Sequence, residues 1–426
     1  MIQAHRSQQT RRPPFLCGGV VALLATGLLL TGCSSGTSSA VQTTAASPTT
    51  DSRDLPTSAS PSTSAAPSTA TPTVTPSVSC VQSAVSSMNT AEQAGQLIMA
   101  GTPLTAADDA RSLMERSHLG SVFLHGRSSR SAAGLKQEIN RLPAMTAGNA
   151  KIEPLVSIDQ EGGLVQSLRG GQWGTIASGR TQGTWSAAKL AQLTGDWAKD
   201  LARAGVTMDL APVADTVPSG TESSNAPIGK YGREYGTDST KVAADISTVT
   251  AAIKSAGVIA TVKHFPGLGR VTGNTDTTRG VTDAKTTAND PYLQPFQAGI
   301  DAGAGVVMIS SAIYTQIDPD HQAVFSPKVI TDLLRGQMGY QGVVMTDDVG
   351  AAKAVSNVSP GNRAVRFIEA GGDLVLTVPS NLARSMMTAV ASKAAQDQDF
   401  HAQVEASVTR VLTLKQEAGL LRCSGS

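Results

Sequence analysis

A lysine and a histidine stand next to each other at the end of a predicted buried strand. The apolar, β-branched run at residues 258–262 favours a strand, and Lys263 and His264 follow it directly. Pro266 prevents a helix from beginning at the preceding residue, and the glycines that come next would let the backbone approach a ligand closely. A cation and an imidazole at this point are typical of a ligand-binding loop, although the same pair also occurs in structural roles.

Acidic residues follow three other predicted strands. Asp159, Asp215 and Asp347 each come within five residues of the end of an apolar run. One such acid is usually a helix cap or a partner in a salt bridge. Four polar strand ends along one chain favour a shared site, because the carboxyl ends of parallel barrel strands meet at one face.

Eight short apolar runs position these residues, and a stretch of helical periodicity follows each run. The runs are residues 96–100, 121–124, 155–158, 207–210, 259–262, 306–309, 343–345 and 374–377. This alternation predicts an α/β fold, and eight strands close a single (β/α)8 TIM-like barrel. The alternative is an open doubly wound sheet, but no dinucleotide-type GxGxxG motif follows the first strand.

The helix predicted over residues 186–204 illustrates how the helices pack. Its apolar residues recur at intervals of three and four, which predicts one stripe facing the barrel. The stripe consists of Leu190, Leu193, Trp197, Leu201 and Ala204.

The first 32 residues have the features of a secretion signal. Arg11 and Arg12 precede an apolar run at residues 18–30, which is short for a membrane span and has the length of a signal-peptide core. The small residues before Cys33 are similar to a bacterial lipobox, in which the cysteine sulfur receives a diacylglyceryl group. We therefore expect a lipoprotein signal peptide at residues 1–32 and lipidation of Cys33; ordinary secretion and an uncleaved anchor are the alternatives.

A segment rich in Ser, Thr, Ala and Pro follows at residues 33–79, with almost nothing apolar to bury. This composition predicts a disordered tether, and residues 80–426 would then form the folded domain. The net charge of the whole chain is +1, and it becomes −2 when the three arginines of residues 1–32 are left out. This balance provides no basic patch for nucleic acid.

Cys80 and Cys423 bracket the predicted folded domain. Export permits a disulfide, and the two ends of a closed barrel lie near each other, so a bond between these cysteines is one expectation. Two free thiols are the alternative. Neither cysteine has a CxxC partner or a nearby histidine, so we expect no zinc or other metal site, and no organic cofactor is implied.

Several motifs together resemble glycoside hydrolase family 3 and, within it, the β-N-acetylglucosaminidase branch. They occur in the order of the family and span most of the region 85–420. The motifs are residues 89–97 (NTAEQAGQL), 159–163 (DQEGG), 211–215 (APVAD), 232–236 (GREYG), 263–269 (KHFPGLG) and 346–348 (TDD). The resemblance implies a barrel enzyme that cleaves glycosidic bonds.

The resemblance also implies roles for individual residues. Asp347 would be the retaining nucleophile that forms a glycosyl-enzyme intermediate, with Asp348 as the alternative. Lys263, His264 and Arg233 would donate hydrogen bonds to sugar hydroxyls and lower the proton affinity of the nucleophilic carboxylate.

Three further residues are candidates for the sugar-binding surface. Asp159 is similar to the acid with which the family binds hydroxyls of the terminal sugar. Arg169 and Asp215 are additional candidates for the same surface.

One part of the sequence departs from the pattern of the family. Four residues after the Gly-Leu-Gly segment, the branch has Asp-Ser/Thr-His, in which the histidine is the acid/base and the aspartate orients it. Here the triplet reads Asn274, Thr275 and Asp276. Either Asp276 donates the proton to the leaving oxygen, with Asn274 holding its orientation, or the acid/base is lost. Alternatively, Asp276 and Asn274 only shape a turn.

We therefore expect a retaining β-N-acetylglucosaminidase that removes terminal N-acetylglucosamine from peptidoglycan fragments. A lipid anchor at Cys33 would hold it at the outer face of the cell membrane, and we expect a monomer. A β-glucosidase of the same fold is one alternative. The other is a non-catalytic sugar-binding lipoprotein, because the expected histidine is missing. The sequence leaves open whether water or phosphate accepts the sugar.

Overall fold

Eight short parallel strands form the centre of the protein in a computed structural model that describes residues 79–424. The strands are β1 (Ile98–Pro103), β2 (Ser121–His125), β3 (Leu155–Ile158), β4 (Met208–Asp209), β5 (Ile259–Phe265), β6 (Val306–Ile309), β7 (Val343–Thr346) and β8 (Val375–Thr377). Each lies at one of the eight predicted runs, so that prediction is confirmed. The predicted signal peptide, the lipidation site Cys33 and nearly all of the tether lie outside the described residues.

The strands follow one another around the barrel in chain order. Each pairs in parallel with its neighbour from β1 to β7, and β8 pairs with β1 through Ile98 and Val375. A parallel bridge between Met345 and Leu374 joins β7 to β8. The result is a nearly closed parallel barrel, as predicted, rather than an open doubly wound sheet.

Burial explains why short apolar runs were sufficient to locate the strands. Every residue of β3, β6, β7 and β8 is buried. Parallel barrel strands are covered by helices on the outside and by packed side chains on the inside, so both faces select apolar residues.

The end of β5 differs from the prediction, because the strand continues through Lys263 and His264 to Phe265. The extension is stabilised by the chain that follows β4. Lys263 N donates to Pro212 O at 3.2 Å, and Ala214 N donates to Lys263 O at 2.7 Å. The predicted loop residues Lys263 and His264 are therefore held in strand geometry.

Helices surround the barrel and cover its outer face. Within residues 79–424 the α-helices are α1 (Cys80–Ser87), α2 (Thr90–Gln96), α3 (Arg111–Ser117), α4 (Ala132–Ile139), α5 (Gly179–Gln182), α6 (Ala187–Arg203), α7 (Ser239–Ser255), α8 (Gln294–Asp301), α9 (Pro360–Glu369), α10 (Ala383–Ala394) and α11 (Gln398–Glu417). A π-helix spans Lys328–Gln337. No helix in this part of the chain combines the length and the apolar character needed to cross a membrane.

Helix α6 confirms the predicted helix but corrects its buried face. Ser186 caps it by accepting a hydrogen bond from Lys189 N. The predicted stripe was wrong at Leu193, which is 37% exposed, while Thr194 is buried. The buried row follows Leu190, Thr194, Ala198 and Leu201, so the helix is rotated relative to the predicted stripe and Leu193 turns outward.

The two ends of the described chain are joined. Cys80 at the start of α1 and Cys423 form a disulfide across a separation of 343 residues. The last strand, Leu421–Cys423, also pairs in antiparallel fashion with Ala150–Ile152. The bond therefore connects the first helix to a small sheet below the barrel.

Removing the disulfide should destabilise the protein by about 2–4 kcal/mol, because the bond restricts the unfolded chain. The measurement is the free energy of unfolding in denaturant for wild type and for the Cys80→Ser/Cys423→Ser protein. The single variant Cys80→Ser should lose as much as the double variant, since either change breaks the same bond. Equal unfolding midpoints for wild type and the double variant would contradict this expectation.

Candidate active site

A cavity of about 320 Å³ opens at the carboxyl ends of the barrel strands. This is the face on which barrel enzymes carry their active sites, and the volume suits a small ligand. Its polar lining consists of Asp159, Arg233, Lys263, His264, Asp276, Asp347 and Asp348. Its apolar lining consists of Phe123, Val165, Leu210, Met308, Leu376 and Val378.

Glu161 connects the two cations of this cavity. Its carboxylate accepts hydrogen bonds from Arg233 Nε at 2.8 Å and Arg233 Nη2 at 2.7 Å. Lys263 Nζ lies 2.7 Å from the same carboxylate and 2.6 Å from Asp159 Oδ1. Lys263 and Glu161 are both buried. Two positive and two negative side chains thus form one compact cluster.

The ionised state of the cluster follows from these contacts. Burial acts against the carboxylate of Glu161, but Arg233 and Lys263 outweigh it and lower its pKa to about 2. Burial also acts against the ammonium of Lys263, but Asp159 and Glu161 raise its pKa. At neutral pH the cluster therefore contains a buried ammonium at Lys263 and a buried carboxylate at Glu161.

His264 is oriented by a buried carboxylate behind it. Its Nδ1 lies 2.7 Å from Asp215 Oδ2, and Asp215 Oδ1 accepts from Leu268 N at 2.7 Å. On the other side, His264 Nε2 lies 3.3 Å from Arg233 Nη2. Asp215 thus fixes both the ring of His264 and the start of the following loop.

Asp347 and Asp348 follow β7 and differ in their surroundings. Asp347 N donates to Ile309 O at 3.1 Å, and Asp347 Oδ1 accepts from Asp348 N at 2.8 Å. Asp348 Oδ1 accepts from the N–H groups of Gly350 and Val378, both at 2.9 Å. Burial raises the pKa of the Asp348 carboxyl. Asp348 therefore ties the loop after β7 to the end of β8.

Asp276 reaches the cavity from the loop after β5. The residue as a whole is exposed, and it forms part of the cavity lining. Burial of the carboxyl among protein atoms, and then the nearby Asp347 carboxylate, raise the pKa of Asp276 to about 6. Asn274 Oδ1 accepts from Asp276 N at 2.8 Å, so Asn274 shapes the turn that carries the acid.

Two of the candidate sugar-binding residues lie away from the cavity. Asp215 is fully buried behind His264 and has no surface to offer a sugar. Arg169 is exposed on the loop after β3, where its backbone N donates to Ser128 O at 3.1 Å, and its side chain does not line the cavity. The remaining candidates, Asp159, Arg233, Lys263 and His264, come together as the sequence predicts.

Glu161 is the residue that sequence reasoning left without a role. It lies two residues after Asp159, in the short strand Gln160–Gly162, and the carboxylates of both residues contact Lys263 Nζ. The two-residue spacing between Asp159 and Glu161 was the sequence feature from which a role for Glu161 could have been inferred. Within residues 79–424, no cluster of three or more His, Cys, Asp or Glu side chains is arranged to hold a metal ion.

Comparison with known proteins gives a consistent result. The sequence pattern of the "Glycosyl hydrolase family 3 N terminal domain" matches residues 89–414. A β-hexosaminidase of Xanthomonas campestris is 32% identical over 313 residues, which cover 69% of this chain and 87% of that protein. A β-hexosaminidase of Stenotrophomonas maltophilia is 33% identical over 302 residues, with 68% and 85% covered. The crystal structure of a β-N-acetylhexosaminidase from Beutenbergia cavernae is 45% identical, has a TM-score of 0.73, and covers 77% of this chain and 99% of that one.

A parallel barrel with several carboxylates and two cations around one cavity, together with these relatives, defines a glycoside hydrolase. The chain belongs to glycoside hydrolase family 3, since the family pattern spans residues 89–414. The class is therefore a glycoside hydrolase, and not the alternative of a non-catalytic sugar-binding protein.

Glu161→Gln should destabilise the protein at neutral pH by about 3 kcal/mol. The pKa of Glu161 is lowered from 4.5 to about 2, so its stabilisation is complete above pH 4.5 and is lost as the pH falls towards 2. The difference in free energy of unfolding between wild type and Glu161→Gln should therefore shrink over that interval.

Glu234→Gln is the matched control for this measurement. Glu234 is also buried, but burial raises its pKa in spite of the hydrogen bond from Arg180. The difference in free energy of unfolding between wild type and Glu234→Gln should therefore change with pH in the direction opposite to that for Glu161→Gln. A constant difference between wild type and Glu161→Gln from pH 7 to pH 2 would contradict the charge assignment of the cluster.

Proposed function

We propose that this protein is a retaining β-N-acetylglucosaminidase that removes terminal N-acetylglucosamine from peptidoglycan fragments. The observation that carries the proposal is that Asp347 and Asp276 share one cavity with the cluster of Lys263, Arg233 and Asp159. The names of the relatives, β-hexosaminidase and β-N-acetylhexosaminidase, support the choice of an amino sugar over glucose.

Asp347 is the nucleophile of the proposed reaction. Asp347 and Asp348 both line the cavity. Asp348 accepts hydrogen bonds from three backbone N–H groups, those of Gly350, Ala351 and Val378, whereas Asp347 accepts from one, that of Asp348, through Oδ1. Attack of an Asp347 oxygen on the anomeric carbon breaks the bond to the leaving oxygen and forms a glycosyl-enzyme intermediate. Water then attacks the same carbon and releases Asp347, so two inversions give net retention.

Asp276 is the acid/base of both steps. With a pKa of about 6 it is protonated at mildly acidic pH and can give its proton to the leaving oxygen. In the second step the carboxylate takes a proton from the attacking water. Burial, and then the Asp347 carboxylate, support this cycle by raising the pKa of Asp276. An aspartate thereby serves in place of the histidine that the family pattern leads one to expect.

The cluster around Glu161 binds the sugar in this proposal. Lys263 and Arg233 donate to hydroxyl oxygens, Asp159 accepts from hydroxyl hydrogens, and His264 hydrogen-bonds a hydroxyl through Nε2. Glu161 holds the two cations side by side in a buried place, where their mutual repulsion would otherwise separate them.

The proposed location rests on the N-terminal sequence. Two arginines, an apolar run and Cys33 in a lipobox-like setting support a lipid anchor on the outer face of the membrane. The Ser/Thr/Pro-rich tether would let a monomeric barrel reach the cell wall, which supports peptidoglycan fragments as the substrate.

The substrate proposal predicts release of N-acetylglucosamine from an aryl N-acetyl-β-glucosaminide and from purified muropeptides. NMR of the first product formed should show the β-anomer, because the configuration is retained. The matched control is the aryl β-glucoside, which should react much more slowly. Cleavage of the glucoside with no release of N-acetylglucosamine would identify a β-glucosidase instead.

The acid role predicts that Asp276→Ala loses about 10²- to 10⁴-fold in kcat/KM on a methyl glycoside, which needs protonation of its leaving group. The dinitrophenolate of a dinitrophenyl glycoside leaves without protonation. In Asp276→Ala, kcat/KM for this substrate, which reports the first step, should therefore fall far less. In wild type, kcat/KM for the methyl glycoside should fall about tenfold per pH unit above the pKa of about 6.

Azide provides an independent readout of the same role. With the dinitrophenyl substrate and Asp276→Ala, azide should replace water and give the β-glycosyl azide, since an anion needs no general base. Equal losses on both substrates, or no azide product, would contradict the assignment of Asp276 as acid/base.

A further inference from the structure

Asn225 is a fully buried polar side chain below the loop that carries Asp276. Its Nδ2 donates to Leu268 O and to Val271 O, both at 2.7 Å. These two carbonyls lie between His264 and Asp276 along the chain. Both amide hydrogens of Asn225 are thus used on the loop that links a sugar-binding residue to the acid.

The oxygen of the same side chain holds a second segment. Asn225 Oδ1 accepts from Ile228 N at 3.1 Å and from Gly229 N at 2.7 Å. This segment positions Arg233, whose N donates to Ile228 O at 3.2 Å. One asparagine therefore connects the backbone that carries Arg233 to the backbone that carries Asp276.

The loop has little freedom between these bonds. A side chain at Gly269 would meet Thr216 O at 1.8 Å, so the backbone passes directly over the chain that follows Asp215. Further along, Ala354 N donates to Thr275 O and Lys353 N donates to Asp276 O, each at 3.0 Å. The loop is thus fixed near its start by Asn225 and at Asp276 by the segment that follows the nucleophile.

We propose that Asn225 is a positioning residue that holds Asp276 next to Asp347. This inference rests on the proposed role of Asp276 as acid/base. Asn225 lies outside the cavity lining, so it acts through the loop and not by contact with the sugar. Without its two donors, Leu268 O and Val271 O would be left buried without these partners, and the loop would move to reach others.

The test compares wild type, Asn225→Ala and Asn225→Asp with the methyl and dinitrophenyl N-acetyl-β-glucosaminides. For both variants, kcat/KM should fall about 10- to 100-fold more on the methyl substrate than on the dinitrophenyl substrate, because a displaced acid protonates the leaving oxygen less effectively. The basic limb of the pH profile should also move towards the ordinary aspartate pKa of about 4, as Asp276 leaves its buried position beside Asp347. Asn225→Asp keeps the acceptor for Ile228 N and Gly229 N, and so isolates the bonds to the loop if the alanine variant does not fold.

Ser407→Ala is the control for a merely structural effect. Ser407 is buried in α11 and donates to Gly372 O at 3.0 Å, at the opposite end of the barrel from the cavity. It should leave the leaving-group preference and the pH profile unchanged. Equal losses on both substrates with an unshifted basic limb in the Asn225 variants would overturn the positioning role.

Asp276→Ala in the same assay separates this proposal from the function on which it rests. A strong leaving-group preference in Asp276→Ala but none in the Asn225 variants overturns the positioning role alone. No preference in Asp276→Ala overturns the acid role, and the positioning role with it.

Discussion

The ion cluster around Glu161 is the interaction on which the cavity depends. Lys263 and Arg233 both approach this one buried carboxylate within 2.8 Å. Removing one partner from such a cluster leaves a buried charge without compensation. The free-energy cost of that removal is far larger than the net stabilisation that the intact cluster provides. The position of the cations, and through Arg233 the surroundings of His264, follow from a single glutamate.

The barrel divides the chemistry of the cavity into two halves. The loop after β3, the extended strand β5 and the segment before α7 supply the cation cluster, which is rigid and charged at neutral pH. The loops after β5 and β7 supply Asp276 and Asp347, and burial, followed by the nearby Asp347 carboxylate, raises the pKa of Asp276. A sugar placed between the halves would have its hydroxyls bound on one side and its anomeric carbon presented to the carboxylates on the other.

Much of this arrangement was predictable, for a physical reason. Barrel strands are buried on both faces, so each appears in the sequence as an apolar run, and the polar residue that follows such a run reaches the common face. This placed Asp159, Lys263 and Asp347 together. Asp276 became a candidate acid/base because the triplet at residues 274–276 differs from the family pattern.

The remaining features depend on contacts between distant segments. Nothing local indicates that residues 211–214 extend β5 through Lys263, or that Asp215 turns inward behind His264 instead of facing the cavity. The exposure of Leu193 likewise depends on how α6 is rotated about its own axis against its neighbours. The period of 3.6 residues fixes the spacing of the buried positions, but it does not decide whether Leu193 or the adjacent Thr194 faces the barrel.

Trapping the covalent intermediate tests most directly whether Asp347 is the nucleophile. A fluorinated N-acetylglucosaminyl donor with a good leaving group should react faster than the intermediate hydrolyses, because the fluorine slows both steps while the leaving group speeds only the first. Mass spectrometry of the digested protein should then find the sugar on Asp347. A sugar attached to Asp348 or to any other residue, or product release with no labelled protein, would show that Asp347 is not the nucleophile.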